Sequence, residues 1–272
     1  MTFDIDEIIK QVYKSGEIAK KYQNLANISY ELKKDKTPVS NADLEINNFF
    51  FNFLNKKFPG VKILSEENNI LSQREVIDAE NFFIIDPIDG TSAFINKENF
   101  YTINLSYIHK NEPFFSIIYA PNINLMLYAD YKKTYKIELG KNFIKKKEIY
   151  KNYKKDPSNH IKIITTKREK EILEIQSFLS NYEFSYELLH VSSSVKFCYL
   201  ALDKADMYVR KARLKLWDVT AGFHIANNAG LNITDNNGDN IYKYFLSKRY
   251  IEEISDLNFK INEFIVSNFN FK

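Results

Sequence analysis

Cysteine is almost absent from this sequence: Cys198 is the only one in 272 residues. No internal disulfide can form, and an all-cysteine zinc site is excluded with it. Histidine is scarce as well. His109, His160, His190 and His224 show no H-x-x-x-H spacing, which argues against a helical zinc hydrolase. No apolar run approaches the ~20 residues that cross a bilayer. The opening MTFDIDEIIK carries neither the basic nor the hydrophobic segment of a secretory leader. The expectation is a cytoplasmic protein with no integral membrane segment, leaving at most a peripheral contact at the inner membrane. An excess of one charge is missing too, since Lys and Arg outnumber Asp and Glu only 38 to 35, for a formal +3. Aromatics between scattered lysine pairs and the triplet Lys145 to Lys147 leave a nucleic-acid reading open. The favoured reading is a lysine-rich solvated surface, with a small anionic substrate as partner and no nucleic acid.

What is present is a globular balance, 44% hydrophobic and 27% charged. The length suits one large domain or two packed on a shared core. Residues 3–25 place Ile5, Ile8, Ile9, Val12, Ile18 and Leu25 at the spacing of an amphipathic helix. After a polar loop containing Lys34 to Pro38, Ser40 stands three residues before Asp43 as in a capping box. It predicts a helix to about Phe58 that Pro59 and Gly60 end. Residues 61–64 and 82–86 read as short strands, and 101–136 as an antiparallel meander with turns at 110–113 and 121–124. The lysine-rich segment 140–160 is read as the boundary between two units, 1–150 and 151–272. Beyond it, strands at 161–165, 184–188, 207–209 and 231–234 alternate with helices at about 168–179, 193–202 and 219–229. A last strand is expected at 264–267. Such alternation favours packed layers of helix and sheet.

The stretch FFIIDPIDGTSAF, residues 82–94, starts as a buried strand and changes character at Asp86. A carboxylate at the C-terminal end of a strand stands where sheet proteins form ligand crevices. Pro87 stiffens the exit, and Asp89 returns three residues later. Two carboxylates so placed suit a hard cation, and Mg2+ takes few carboxylates together with waters and phosphate oxygens. Gly90 and Thr91 then open a short helix, where glycine admits a close phosphate and free N–H groups favour negative charge. By itself, D-x-x-D-G reads equally as an Asp-rich turn with a left-handed glycine. Glu66 and Glu67 end a second strand, and Asp218 opens a helix at a position where Asp is often only a cap. Together these acids describe a carboxylate cluster at element ends, the pattern of multi-metal phosphoryl transfer. A haloacid-dehalogenase-type phosphatase, with D-x-D-G-T, would need its nucleophilic aspartate at position 87, which is Pro87. A non-catalytic cation- or nucleic-acid-binding module is the competing class.

LSEEN, IIDPIDGTSAF and LWDVTAGFHIANNAG, in that order, resemble the three signatures of the inositol monophosphatase superfamily of Mg2+-dependent, lithium-sensitive phosphatases. The likeness continues through KKDKTPVSNAD, YTINLSYIHKNEPFFSIIYAPNINLMLY and SSSVKFCYLALDKADMYVR, covering most of residues 1–240. It is strongest toward the CysQ-type 3'(2'),5'-bisphosphate nucleotidase branch. The resemblance implies an α/β (α+β) chain, a layered αβαβα sandwich of the inositol monophosphatase and fructose-1,6-bisphosphatase type, as monomer or homodimer. It implies a phosphomonoesterase holding two or three Mg2+ ions, with adenosine 3',5'-bisphosphate favoured over inositol or other small sugar phosphates.

Residue by residue, the resemblance makes Glu66, Asp86, the Ile88 carbonyl, Asp89 and Asp218 metal ligands, with Glu67 behind them, an assignment that two adjacent carboxylates leave open. It makes Asp43 the partner of the Thr91 hydroxyl in orienting the attacking water, so that Asp43, Glu66 and Thr91 are the catalytic set. Ile88, Asp89, Gly90, Thr91 and Asp218 would also contact substrate. Ser193, Lys196 and Arg210 match residues beside the nucleotide, although Lys196 and Arg210 read from the sequence alone as surface cations. Three features depart from the nucleotidase pattern. Ser92 and Ala93 replace a usual Lys-Glu after DPIDGT, KARLKL stands between Arg210 and Trp217 in place of a Gly-Pro-Thr stretch, and Ser192 replaces a usual glycine. All three bear on specificity and leave the acid set intact.

Overall fold

A computed structural model of the chain describes residues 2–68, 76, 79–140, 144–150, 160–247, 250 and 259–270. Helix α1 (Ile5–Gln23) starts where Asp4 accepts the Glu7 N–H at 3.0 Å. It stops short of residue 25: Asn24 closes it and Leu25 lies exposed beyond. Helix α2 (Asn41–Lys57) has the expected capping box, Ser40 and Asp43 each bonding the other's backbone N–H. Between the two helices, β1 (Tyr30–Leu32) and β2 (Pro38–Ser40) form an antiparallel hairpin where the sequence reads as a loop.

One sheet holds, in spatial order, β3 (Lys62–Ser65), β4 (Asn81–Asp89), β5 (Thr102–His109), β6 (Glu112–Ala120), β7 (Leu125–Ala129), β8 (Thr134–Leu139) and β9 (Ile144–Ile149). β3 runs parallel to β4 and the rest form an antiparallel meander. The short helix α3 (Thr91–Ile95) joins β4 to β5. Along β4, Phe83 and Ile85 enter the core under α1 and α2, while Phe82 and Ile84 enter the core on the opposite face. A strand buried on both faces reads as an unbroken apolar run. β4 passes its expected end at residue 86 and continues to Asp89, with its pairing to β5 interrupted between Asp86 and Asp89. Pro87 sits in that irregularity, where its missing N–H costs no regular ladder bond.

The segment read as a boundary contains the edge strand β9. Lys145, Lys146 and Lys147 stand exposed on it, a charged edge that resists pairing with another chain. Residues 141–143 and 151–159 of that segment lie outside the described residues.

The second half runs β10 (His160–Thr165), α4 (Glu169–Leu179), β11 (Ser185–His190), α5 (Val195–Ala201), β12 (Met207–Arg210), β13 (Leu214–Lys215), α6 (Leu216–Asn228), β14 (Asn232–Thr234), β15 (Lys260–Ile261) and β16 (Phe264–Ser267). Its main sheet has the order β11-β10-β12-β16-β14. Phe197 and Phe223, on α5 and α6, pack between the two sheets against Tyr208 and Phe264 on one side and in one cluster with Phe82 and Ile118 on the other. On the far face, Ile163, Met207 and Ile265 meet Ile175 and Leu179 of α4. The layers are thus helices, sheet, helices, sheet, helix, the αβαβα sandwich expected. The middle core draws on both halves of the chain. α6 begins at Leu216 instead of 219, so Asp218 lies inside its first turn.

Candidate active site

The parallel pairing of β3 with β4 sets Ser65 beside Ile85, and the Glu66 N–H bonds the Ile85 carbonyl at 3.3 Å. Glu66 therefore arrives next to Asp86. Asp218 comes from α6, where its Oδ2 accepts the Lys215 N–H at 2.9 Å. Glu66, Asp86 and Asp218 each present a carboxylate oxygen within 4.8 Å of the others. Asp86 is 1% exposed, and neither of its oxygens has a hydrogen-bond partner among the described residues. Burial, then the charges of Glu66, Asp89 and Asp218, push its carboxyl well above the usual carboxylate range. Burial, then Asp89 and Glu66, do the same to Asp218. Such an orphaned buried acid is costly unless a cation meets it. An all-oxygen donor set of this kind fits Mg2+.

Asp89 lines the same cavity but stands outside the 4.8 Å group, its Oδ2 accepting the Ser194 hydroxyl at 2.6 Å. Asn104 Nδ2 donates in turn to Ser194 Oγ at 3.0 Å. Of the two adjacent glutamates, only Glu66 joins the group. Glu67 turns to Lys33, whose ammonium bridges Glu66 at 2.7 Å and Glu67 at 2.8 Å. Burial and the neighbouring Glu66 charge raise Glu67 to about 7.

Thr91 and Asp43 meet as the resemblance implies. The Thr91 hydroxyl lies 3.3 Å from Asp43 Oδ1 and 3.1 Å from the Ile88 carbonyl. Ser40 occupies the other Asp43 oxygen through its N–H and hydroxyl. Asp43 is fully buried, which raises it to about 6 against the lowering effect of those bonds. Gly90 has φ +89°, and a Cβ there would come within 3.2 Å of Ser193 Cβ. Glycine at this turn thus admits both the left-handed backbone and the approach of the second half.

Glu66, Asp86, Ile88, Asp89, Gly90, Thr91, Ser193, Lys196, Arg210 and Asp218 all line one cavity of about 350 Å³. Asp43 is not on its wall and touches it through Thr91. Lys196 and Arg210, surface cations by sequence, are each only 5% exposed. One helix and one strand carry them inward, since α5 packs between the sheets and β12 lies at the centre of its sheet. Burial lowers Lys196 to about 8 despite the Asp89 charge. Sequence reasoning missed Lys33, Ser194, Asn104 and Glu171. Lys33 had a hint in KKDKTPVSNAD, just before Asp43, whereas the other three carry no local signal.

The sequence matches the inositol monophosphatase family over residues 4–268. The chain belongs to this family. Among its relatives, the 3'(2'),5'-bisphosphate nucleotidase CysQ of Haemophilus influenzae is 32% identical over 229 residues, 81% of this chain and 80% of that protein. CysQ of Buchnera aphidicola is 30% identical, covering 90% of this chain and 89% of that one. Among solved structures, CysQ from Bacteroides thetaiotaomicron superposes with a TM-score of 0.73 at 22% identity, over 95% of this chain and 94% of its own. An IMPase from Thermotoga maritima gives 0.72 at 23% identity, over 97% and 91%. As a member of this family, the chain is a phosphatase of the metal-dependent kind, and the acid group around Asp86 could hold a metal ion.

Proposed function

We propose that the chain is a Mg2+-dependent 3'(2'),5'-bisphosphate nucleotidase that hydrolyses adenosine 3',5'-bisphosphate to AMP and phosphate. The observation that carries this reading is one cavity with an orphaned carboxylate group at one side and two buried cations, Lys196 and Arg210, in the same lining. The acids would hold metal, and the cations would hold a phosphate that is not cleaved. The CysQ relatives, at up to 32% identity in the matches described above, support the same choice.

Glu66, Asp86, Asp89, Asp218 and the Ile88 carbonyl are the residues that would hold two or three Mg2+ ions. When bound, these ions would supply Lewis acidity toward the phosphoryl oxygens and an activated water as nucleophile. With its hydroxyl donating to Asp43, the Thr91 oxygen would accept a hydrogen bond from a water, which orients that water. The N–H groups at the start of α3, next to Gly90, would receive the non-bridging phosphate oxygens. Ser193, whose φ is +57°, closes the turn opposite Gly90. No side chain is needed as a covalent nucleophile.

The test is a substrate panel of adenosine 3',5'-bisphosphate, inositol 1-phosphate, fructose 1,6-bisphosphate and NADP, assayed for phosphate release with Mg2+ and with EDTA. The reading expects the highest kcat/KM on the adenosine bisphosphate and no release in EDTA. A clear preference for inositol 1-phosphate would replace it with an inositol phosphatase, and RNA binding without turnover on any ester would remove the enzyme reading.

A further inference from the structure

Arg210 ends β12 at the cavity, but part of its donor set is already committed. Its Nη1 donates to Glu171 Oε1 at 2.7 Å and its Nε to the Ala212 carbonyl at 2.9 Å. The pair is shut away from water, with side-chain exposures of 6% for Arg210 and 4% for Glu171. Glu171 is braced from behind, since the Thr166 hydroxyl donates to its Oε2 at 3.0 Å and accepts the Arg168 N–H at 3.1 Å. Arg210, Thr166 and Arg168 line the cavity, whereas Glu171 is set behind that lining.

An acid in the first turn of a helix is ordinarily a solvated partner of the helix dipole, and burying one costs free energy unless something holds it. Here it is held by Arg210, which lines the same cavity as the buried Lys196. Those two like charges repel, and Glu171 offsets one of them. Fixing Nη1 and Nε also fixes the plane of the guanidinium, because its donors form a rigid fork. Nη2 then remains for a ligand in a direction set by Glu171.

We propose that Glu171 is the positioning residue of the anion subsite, holding the Arg210 fork so that it grips a second phosphate of the substrate, remote from the phosphate that is cleaved. This deepens the bisphosphate reading and rests on it. A buried pair that served stability alone would leave substrate discrimination untouched when altered. A positioning role makes the effect depend on whether the ligand carries the remote phosphate.

Two measurements decide it. The first compares Glu171→Gln with the wild-type holoenzyme on adenosine 3',5'-bisphosphate and on inositol 1-phosphate. Loss of one charge-assisted restraint is expected to raise KM for the bisphosphate by about tenfold, several times more than for the monoester, with kcat for the bisphosphate changed far less. The second is calorimetric binding of 5'-AMP, which carries the remote phosphate alone. Its affinity is expected to fall by about tenfold in Glu171→Gln, and not to fall further when Glu171→Gln is added to Arg210→Ala. Equal changes for both substrates, unchanged 5'-AMP affinity, additive losses in the double variant, or no 5'-AMP binding by the wild type would each overturn the proposal. If the wild type favours another ester yet 5'-AMP affinity falls as described, the nucleotidase reading fails and the positioning role stands. If the wild type favours the bisphosphate and Glu171→Gln binds 5'-AMP normally, the reverse holds. Should Glu171→Gln not fold, Glu171→Asp, which keeps the charge and withdraws it by one methylene, takes its place in both measurements.

Discussion

Asp86 concentrates the tension of the site in one side chain. It is buried without a hydrogen-bond partner among the described residues and ringed by Glu66, Asp89 and Asp218, so the metal-free chain bears a repulsion that a bound cation or a proton relieves. Asp86→Asn removes that charge. It is expected to abolish turnover and to raise the melting temperature in EDTA at about pH 8 by roughly 2–4 °C, a gain of about 1 kcal/mol. A lower melting temperature, read by calorimetry, would mean that the carboxylate is satisfied by the chain itself. Arg210→Ala acts in the opposite sense, because it leaves Glu171 buried and unpaired. It is expected to cost about 3 kcal/mol in urea unfolding and to raise KM for the bisphosphate more than for inositol 1-phosphate. A neutral effect on stability would show that water reaches Glu171.

Helices α5 and α6 form the layer between the sheets, and each delivers a site residue: Lys196 in the first turn of α5, Asp218 in the first turn of α6. Their contact is close at Gly222, where a Cβ would fall 2.2 Å from the Phe197 ring. That ring is itself enclosed by Tyr208, Phe223 and Phe264 and has little room to yield. Gly222→Ala is expected to destabilise the chain by about 1–3 kcal/mol through overpacking. Since Phe197 neighbours Lys196, the same variant is expected to raise KM as well. Unfolding and steady-state kinetics on one preparation read both effects, and an unchanged midpoint would show that the layer is looser than its packing implies. The hairpin of β1 and β2 works differently. It buries little, yet its turn carries Lys33 to both Glu66 and Glu67.

For the whole molecule, the buried acids and the buried histidine pull stability in opposite directions with pH. Asp43 is raised from 3.8 to about 6 and Glu67 from 4.5 to about 7, both chiefly by burial. Groups raised on folding hold more protons in the folded chain than in the unfolded one. Their contribution is therefore present below the unfolded values and lost as pH rises through 6 to 7. His224, bonded to Ser116 and Asn228, is lowered by burial from 6.5 to about 4, so its contribution is lost as pH falls through that range. In EDTA, the melting temperature is expected to decline from about pH 5.5 to about pH 8 as the acids ionise against one another. Mg2+ at roughly a hundred times its dissociation constant would return about 2.7 kcal/mol. The difference between Mg2+ and EDTA should widen with pH, because proton and metal compete for the same oxygens. A difference that stays constant across this range would argue that the carboxylates do not hold the metal.

How much of this was legible in the sequence follows from the range of each interaction. Helix caps, alternation along strands and the D-P-I-D-G-T turn are set within a few residues. The αβαβα layering and the succession of acids could accordingly be read from the chain, the former with the help of a family resemblance. Spacing alone did not separate Glu66 from Glu67; the resemblance pointed to Glu66, and the register of β3 against β4 is what brings it beside Asp86. The edge strand β9 was hidden by its lysines, which suit a solvated edge as well as a linker. Arg210 and Glu171 stand 39 residues apart, and each reads as a surface charge until packing closes water away from both. Local chemistry thus determined which residues were available to the site. Tertiary packing decided which of them lost their solvent and had to find each other, because desolvation depends on the whole fold and not on neighbours in sequence.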